Sequence, residues 1–357
     1  MILSVYKSVQ FCFYVSLCLF FSNAMVNIPK HDSVEAVWAF GDSFFDSGNN
    51  NFLNTLIKAD FPPYGKDFMG GVSSGRFTND RTISDYIVKK LGLKDYLPAY
   101  LDPYIREKDL PTGVCFASAG SGYDGVTSQI QNVMPLSIQL EMFKEYIWKL
   151  NRIVGEEAAK HIIKNGVYLV SSSSNDWSIS YGLVPVRRLQ YNATDYANLL
   201  AKNARMFFEE LYKLGARKLV VFGTPYIGCF PLMRTVFGGV RRNCVNMFNE
   251  DAETFNKMLK SQLEYLRSSL PHSTICYVDY FNLSREIIQN HLQYGLEDVD
   301  NACCGSGLYE TSYLCNRLSP ICPNDSKFLF WDSLHLTDKG YNIVVDHALP
   351  RLMQCLH

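Results

Sequence analysis

Five short apolar runs recur along the chain, at Val37 to Phe40, Val114 to Ala117, Val167 to Val170, Leu219 to Phe222 and Thr274 to Val278. Runs of this length read as strands buried on both faces. Longer segments of helical period alternate with them: Ile83 to Leu91, Ile138 to Ile153, Glu156 to Ile163, Tyr196 to Leu214, Asn246 to Leu266, and a last one after Asp338. This order predicts an α/β protein, a three-layer α/β/α sandwich whose central parallel sheet has about five strands joined by right-handed crossovers. In such a sheet a functional site gathers at the carboxyl ends of the strands, where the loops emerge.

No repeat, low-complexity tract or Pro/Ser-rich linker divides the chain, so a single domain is expected over residues 25–357. Residues 1–24 read as a secretory signal peptide. Lys7 supplies positive charge, Phe11 to Phe21 is apolar, and Ser22-Asn23-Ala24 offers small residues for cleavage. The apolar run is shorter than the roughly 20 residues of a spanning helix, so no integral membrane segment is expected in the mature chain. Cys12 and Cys18 leave with the signal, and nine of the 11 cysteines remain. An oxidising compartment lets such a set pair, and disulfides suit Cys303, Cys304, Cys315 and Cys322 better than zinc, because no CxxC pair is present. Nine is odd, so at least one thiol stays free. Cys115 and Cys276, inside apolar runs, are the natural buried candidates. Sequons at Asn192, Asn282 and Asn324 are compatible with glycosylation.

A net charge of -1 gives no global field to attract nucleic acid or an anionic membrane surface, so a neutral or small substrate fits better and no nucleic-acid partner is expected. The loops from Asn49 to Asn79 and from Asn290 to Ser326 are unusually long. Loops of that size in a compact protein tend to be functional or cross-linked.

Chemistry enters at the end of the first predicted strand. Val37-Trp38-Ala39-Phe40 runs directly into Gly41-Asp42-Ser43, which presents a hydroxyl beside a flexible glycine. Serine is a weak nucleophile until a base takes its proton, and a histidine base needs an acceptor to fix its tautomer. Asp332-Ser333-Leu334-His335, far along the chain, has the two partners three residues apart, a spacing that lets both side chains face one cleft.

The segment from Phe40 through Ser43 to Asn50, reading FGDSFFDSGNN, resembles the first block of the plant GDSL esterase/lipase family of the SGNH hydrolase superfamily. Phe116-Ala117-Ser118-Ala119-Gly120, Ser173-Ser174-Asn175-Asp176 and Trp331-Asp332-Ser333-Leu334-His335 resemble the later blocks in order. Gly75-Arg76-Phe77-Thr78-Asn79, Gly223 to Cys229 and Cys303-Cys304-Gly305 extend the similarity over essentially the whole mature chain. The resemblance implies a flavodoxin-like SGNH fold and a secreted, extracellular esterase of the cell wall or apoplast. It also implies roles: Ser43 as nucleophile, His335 as base and Asp332 as the group that orients it, with an oxyanion hole from the backbone N–H groups of Ser43 and Gly120 and the amide of Asn175. A tetrahedral intermediate needs such fixed donors. The chain departs from the family at Ser173, where glycine is usual, at Phe44, where the eponymous leucine stands, and at Leu336, where many relatives have proline.

Gly71-Val72-Ser73-Ser74-Gly75 matches the G-x-S-x-G nucleophile elbow, yet it lacks the strand before and the helix after that the elbow requires, and reads as a loop. His31, His161, His272, His291, His347 and His357 form no metal-spaced pair and no phosphate loop opens a helix, so no metal or organic cofactor is implied. The expected substrate is a small-molecule, lipid or polysaccharide ester, and the expected state a monomer. Two other classes stay open: an acyltransferase using the same triad, told apart by product analysis with competing alcohols, and a catalytically weak binding or defence protein, excluded by turnover that Ser43→Ala abolishes.

Overall fold

The alternation inside each apolar run decides which helical layer it meets. In the computed structural model, which describes residues 34–307, 309–311 and 314–356, four runs form a parallel sheet of β1 (Val37–Gly41), β2 (Val167–Ser171), β3 (Lys218–Phe222) and β4 (Thr274–Val278), in that spatial order. The signal segment 1–24, with Cys12 and Cys18, and also His31 and His357, lie outside the described residues. The run Val114 to Ala117 lies along the free side of β1: Ala39 N donates to Val114 O at 3.3 Å, and Phe116 N to Ala39 O at 2.7 Å. It forms single bridges rather than a regular strand, because Cys115 also pairs with Ala99 on its other side. Counted with it, the spatial order in chain sequence is 2-1-3-4-5. That is the flavodoxin-like order, and it puts the topological switch point at β1 and β2.

Helices α1 (Ile83–Lys90), α2 (Gly125–Gln131), α3 (Leu136–Val154), α4 (Glu156–Asn165), α5 (Ala193–Lys213), α6 (Pro231–Phe237), α7 (Asn246–Ser269), α8 (Tyr280–Gln289) and α9 (Asp338–Leu356) surround the sheet. Val37, Ala39, Val167, Leu169, Val220 and Phe222 share one apolar core with α1, α8 and α9. Trp38, Phe40, Tyr168, Val170, Leu219 and Val221 point the other way, into a core with α3, α5 and the later turns of α7. Trp38 sits there among Phe143, Tyr146 and Tyr168, with ring centroids 4.7 to 6.0 Å away. Truncating a buried aromatic of this kind costs about 3–5 kcal/mol. This is the three-layer arrangement that the alternating pattern predicts. A separate pair of short parallel strands, β5 (Asp298–Ala302) and β6 (Phe328–Phe330), closes the second long loop onto the start of the last helical segment.

Four disulfides join Cys229 to Cys244, Cys276 to Cys355, Cys303 to Cys322 and Cys304 to Cys315. The last two cross-link the second long loop and leave its four sulfurs no thiolate to offer zinc. Among the described residues Cys115 is the free thiol, buried, its Sγ donating to Phe45 O at 3.0 Å. Cys276 is not free: although it lies in an apolar strand, the last helix brings Cys355 across the edge strand to meet it.

Candidate active site

β1 must come very close to β2 before the chain can turn into the site, and Gly41 permits it. Its φ is +120°, and a Cβ there would lie 1.7 Å from Ser171 O. Asp42 N then donates to Ser171 O at 3.0 Å, and Ser43 follows at the carboxyl end of the sheet with 7% of its surface exposed. The residues after it tie this loop to the neighbouring segment. Asp46 accepts from the backbone N–H groups of Gly48 and Asn49 at 2.8 and 2.7 Å through Oδ1, and from Ala119 at 2.9 Å through Oδ2. Asn49 Nδ2 donates to Cys115 O and Ala117 O, and Asn50 Nδ2 to Ala119 O, at 2.8 to 2.9 Å. Reading the sequence residue by residue did not single out Asp46, Asn49 and Asn50; three amide and carboxylate side chains so soon after Ser43 were the available signal.

Gly120 and Asn175 are held beside this loop. Ser121 Oγ and Gln139 Nε2 both donate to Gly41 O, at 2.6 and 2.9 Å, and Asn175 Nδ2 donates to Ser121 O at 3.0 Å, which leaves its second N–H to give. Gly120 has a φ of +88°, a conformation glycine adopts without penalty. Among the described residues, the backbone N–H groups of Ser43 and Gly120 have no acceptor. Behind them Asp176 accepts from Tyr123 N at 2.8 Å and Thr127 Oγ1 at 2.5 Å, fastening the Gly120 loop to the π-helix Asp176–Leu183 that Asn175 precedes. Ser173 occupies the left-handed region, φ +103°, where a side chain carries strain, and its hydroxyl is bonded to Thr224 Oγ1 at 2.6 Å.

The third element comes from the loop between β6 and α9. Asp332 Oδ1 accepts from the backbone N–H groups of Leu334 and His335, both at 2.8 Å, a local turn that folds the imidazole back over the carboxylate. His335 Nδ1 lies 2.8 and 2.7 Å from the two carboxylate oxygens, so this nitrogen carries the proton and Nε2 presents its lone pair. Phe44, the residue after Ser43, meets the imidazole edge to face at 6.4 Å, which brings the two loops together. Ser43 Oγ and His335 are not hydrogen-bonded to each other in this arrangement. Leu336 is buried and bridges to Phe330, so its side chain serves packing.

The carboxyls around this site differ in charge state. Burial alone would raise Asp332, but the His335 imidazole, the Tyr64 hydroxyl and the Leu334 N–H outweigh it and hold Asp332 below the usual carboxylate range. Asp42, fully buried with no cation beside it and Oδ2 unpartnered, is pushed up to about 8, chiefly by burial and further by Asp176. Asp176 is pushed up to about 7, again mainly by burial. Above about pH 4 these two therefore hold protons that the unfolded chain has released, Asp176 up to about pH 7 and Asp42 up to about pH 8, and their contribution to stability falls as pH rises. The thermal midpoint is expected to drop by a few degrees between pH 5.5 and 8.5. Asp42→Asn, measured by calorimetry at both pH values, should flatten that dependence.

Ser73, in the decoy motif, stands in irregular chain after a short 3-10 turn, and its Oγ donates to Tyr64 O at 2.8 Å. Asn192, Asn282 and Asn324 are all exposed.

A family model described as GDSL-like lipase/acylhydrolase matches residues 37–348. Among Arabidopsis thaliana proteins, GDSL esterase/lipase At5g42170 is 44% identical over 325 residues, 91% of this chain and 87% of that one. GDSL esterase/lipase EXL2 is 41% identical over 354 residues, 95% and 93% of the two chains.

Proposed function

Since the chain belongs to the GDSL-like lipase/acylhydrolase family, we propose that it is a carboxylic ester hydrolase working through Ser43, His335 and Asp332. His335 Nε2 takes the proton of Ser43 Oγ as the oxygen attacks the ester carbonyl, and Asp332 fixes the tautomer and offsets the imidazolium charge. The oxyanion is met by the Ser43 and Gly120 N–H groups and the Asn175 amide. His335 then returns the proton to the leaving alcohol, and water, activated by the same nitrogen, releases the acid from the acyl-enzyme. What supports this reading is a carboxylate-bound imidazole that meets Phe44, the residue after Ser43, beside two backbone donors that have no acceptor among the described residues.

A fluorophosphonate is expected to label Ser43 stoichiometrically, read by mass spectrometry of the digested protein. Labelling of Ser73 instead would overturn the assignment. Asn175→Ala is expected to fold normally and to lose roughly 100- to 1,000-fold in kcat on a p-nitrophenyl ester, the usual effect of removing one oxyanion donor. Full activity in that variant would take Asn175 out of the site.

The single-domain organisation of residues 25–357 and entry into the secretory pathway through residues 1–24 belong to the same proposal. The four disulfides and the exposure of the sequon asparagines Asn192, Asn282 and Asn324 support it. No helix among the described residues is long and apolar enough to cross a membrane.

A further inference from the structure

The first long loop reaches the catalytic carboxylate through one side chain. Tyr64 is 3% exposed, and its hydroxyl donates to Asp332 Oδ2 at 2.7 Å, the oxygen that also lies 2.7 Å from His335 Nδ1. Oδ1 meanwhile takes the backbone N–H groups of Leu334 and His335. Both oxygens of Asp332 are thus engaged, and among the described residues Tyr64 supplies the one donor that comes from outside its own turn. The loop is built around this contact. Ser73 Oγ donates to Tyr64 O at 2.8 Å, and Gly65 N to Thr78 O at 2.9 Å. The Tyr64 ring packs edge to face against Phe61 and Phe77, with centroids 5.4 and 5.7 Å away. Phe77 in turn lies 4.8 Å from the imidazole, so the same loop both anchors the carboxylate and walls the base. The serine of the decoy elbow motif finds its use here, as a clamp on the tyrosine backbone.

We propose that Tyr64 is a positioning residue of the catalytic machinery, extending the Ser43, His335 and Asp332 relay by a hydroxyl that stops the carboxylate from rotating and keeps it ionised. The inference rests on the triad reading of those three residues. Burial and the facing carboxylate push the Tyr64 hydroxyl well above its ordinary range, so it stays a donor throughout the working pH range. The titratable groups facing Asp332 are His335, Tyr64 and Tyr341. Among the described residues Asp332 accepts no hydrogen bond from Tyr341, so of the two tyrosines it is Tyr64 that acts on the carboxylate directly.

Tyr64→Phe separates this role from packing, because it keeps the ring that Phe61 and Phe77 touch and removes only the donor. Hydrogen bonds to charged groups are worth enough that kcat on p-nitrophenyl butyrate should fall about 10- to 100-fold with KM unchanged. The acid limb of the kcat profile should also move to higher pH, since a carboxylate that has lost one donor pairs more strongly with the charged form of the base. Full kcat with an unmoved acid limb overturns the proposal. So does a loss of kcat that comes with an unmoved limb and a lowered thermal midpoint, which would mark a packing role. Ser43→Ala, assayed in parallel, keeps the two readings apart: if it retains activity, the triad itself is at fault, whereas an inactive Ser43→Ala beside an unaffected Tyr64→Phe removes only the role of Tyr64.

Discussion

Ser43→Ala is expected to lower kcat on a p-nitrophenyl ester by about five to six orders of magnitude, while leaving the fold intact. The size of the loss follows from the role proposed for the hydroxyl, since on that reading no acyl-enzyme forms without it and only binding and the oxyanion donors would act on the substrate. The intact fold follows from what it does not do. Ser43 Oγ makes no hydrogen bond among the described residues, so its removal orphans no buried partner, and the alanine methyl replaces a side chain that is already 7% exposed. The thermal midpoint should stay within about a degree, because this buried hydroxyl has no partner to leave unsatisfied and alanine leaves out only its oxygen. Ser73→Ala is the matched control. It deletes a bond to a backbone carbonyl in a loop, and should keep the bulk of the activity. The reverse pattern, a dead Ser73→Ala beside a working Ser43→Ala, would transfer the nucleophile to the elbow-like loop.

The layers of the fold were legible because their cause is local. A strand buried on both faces must be apolar throughout, and Val167 to Val170 or Leu219 to Phe222 allow no other reading. The long helices were legible for the same reason, with ends off by a few residues. Short helices were legible only in part: Ile83–Lys90 and Glu156–Asn165 were read, but Tyr280–Gln289, also ten residues, was not, because its strongest mark, an Asp279 side chain accepting from Asn282 N, looks the same in sequence as an ordinary turn. The run Val114 to Ala117 was read as a strand and lies where a strand would, yet its outer neighbour is the Pro98 to Tyr100 loop, a partner no periodicity announces. Similar physics governed the site. Ser43, Asp332 and His335 could be picked out together in the sequence because the proposed chemistry demands all three. Asp46, Asn49 and Asn50 hold backbone across gaps of 66 to 73 residues, and nothing in their local spacing says which strand they will reach. Cys276 shows the limit from the other side. An apolar strand predicts burial, and burial predicts a free thiol, until a terminal helix whose docking is not encoded nearby delivers Cys355.

The second large effect is expected at Asp332→Asn, with kcat falling about 10,000-fold and little change in fold. Asparagine can keep the carbonyl oxygen toward the backbone N–H groups of Leu334 and His335, so the turn that carries the imidazole survives. The amide nitrogen then faces His335 Nδ1 and the Tyr64 hydroxyl, where Oδ2 stood. An N–H directed at Nδ1 forces that nitrogen to accept, which moves the ring proton to Nε2, and the atom proposed to take the Ser43 proton is no longer a base. The pH dependence of stability gives an independent check. Asp332 sits below the ordinary carboxylate range in the folded protein, so its contribution is present above the unfolded value of about 3.9 and lost as pH falls through the folded one. Asparagine does not titrate, and the variant should lose less stability than the parent below about pH 4, measured as urea midpoints at pH 3 and 6. A variant with kcat within tenfold of the parent would mean that His335 is oriented by something other than this carboxylate, and the relay as drawn would fail.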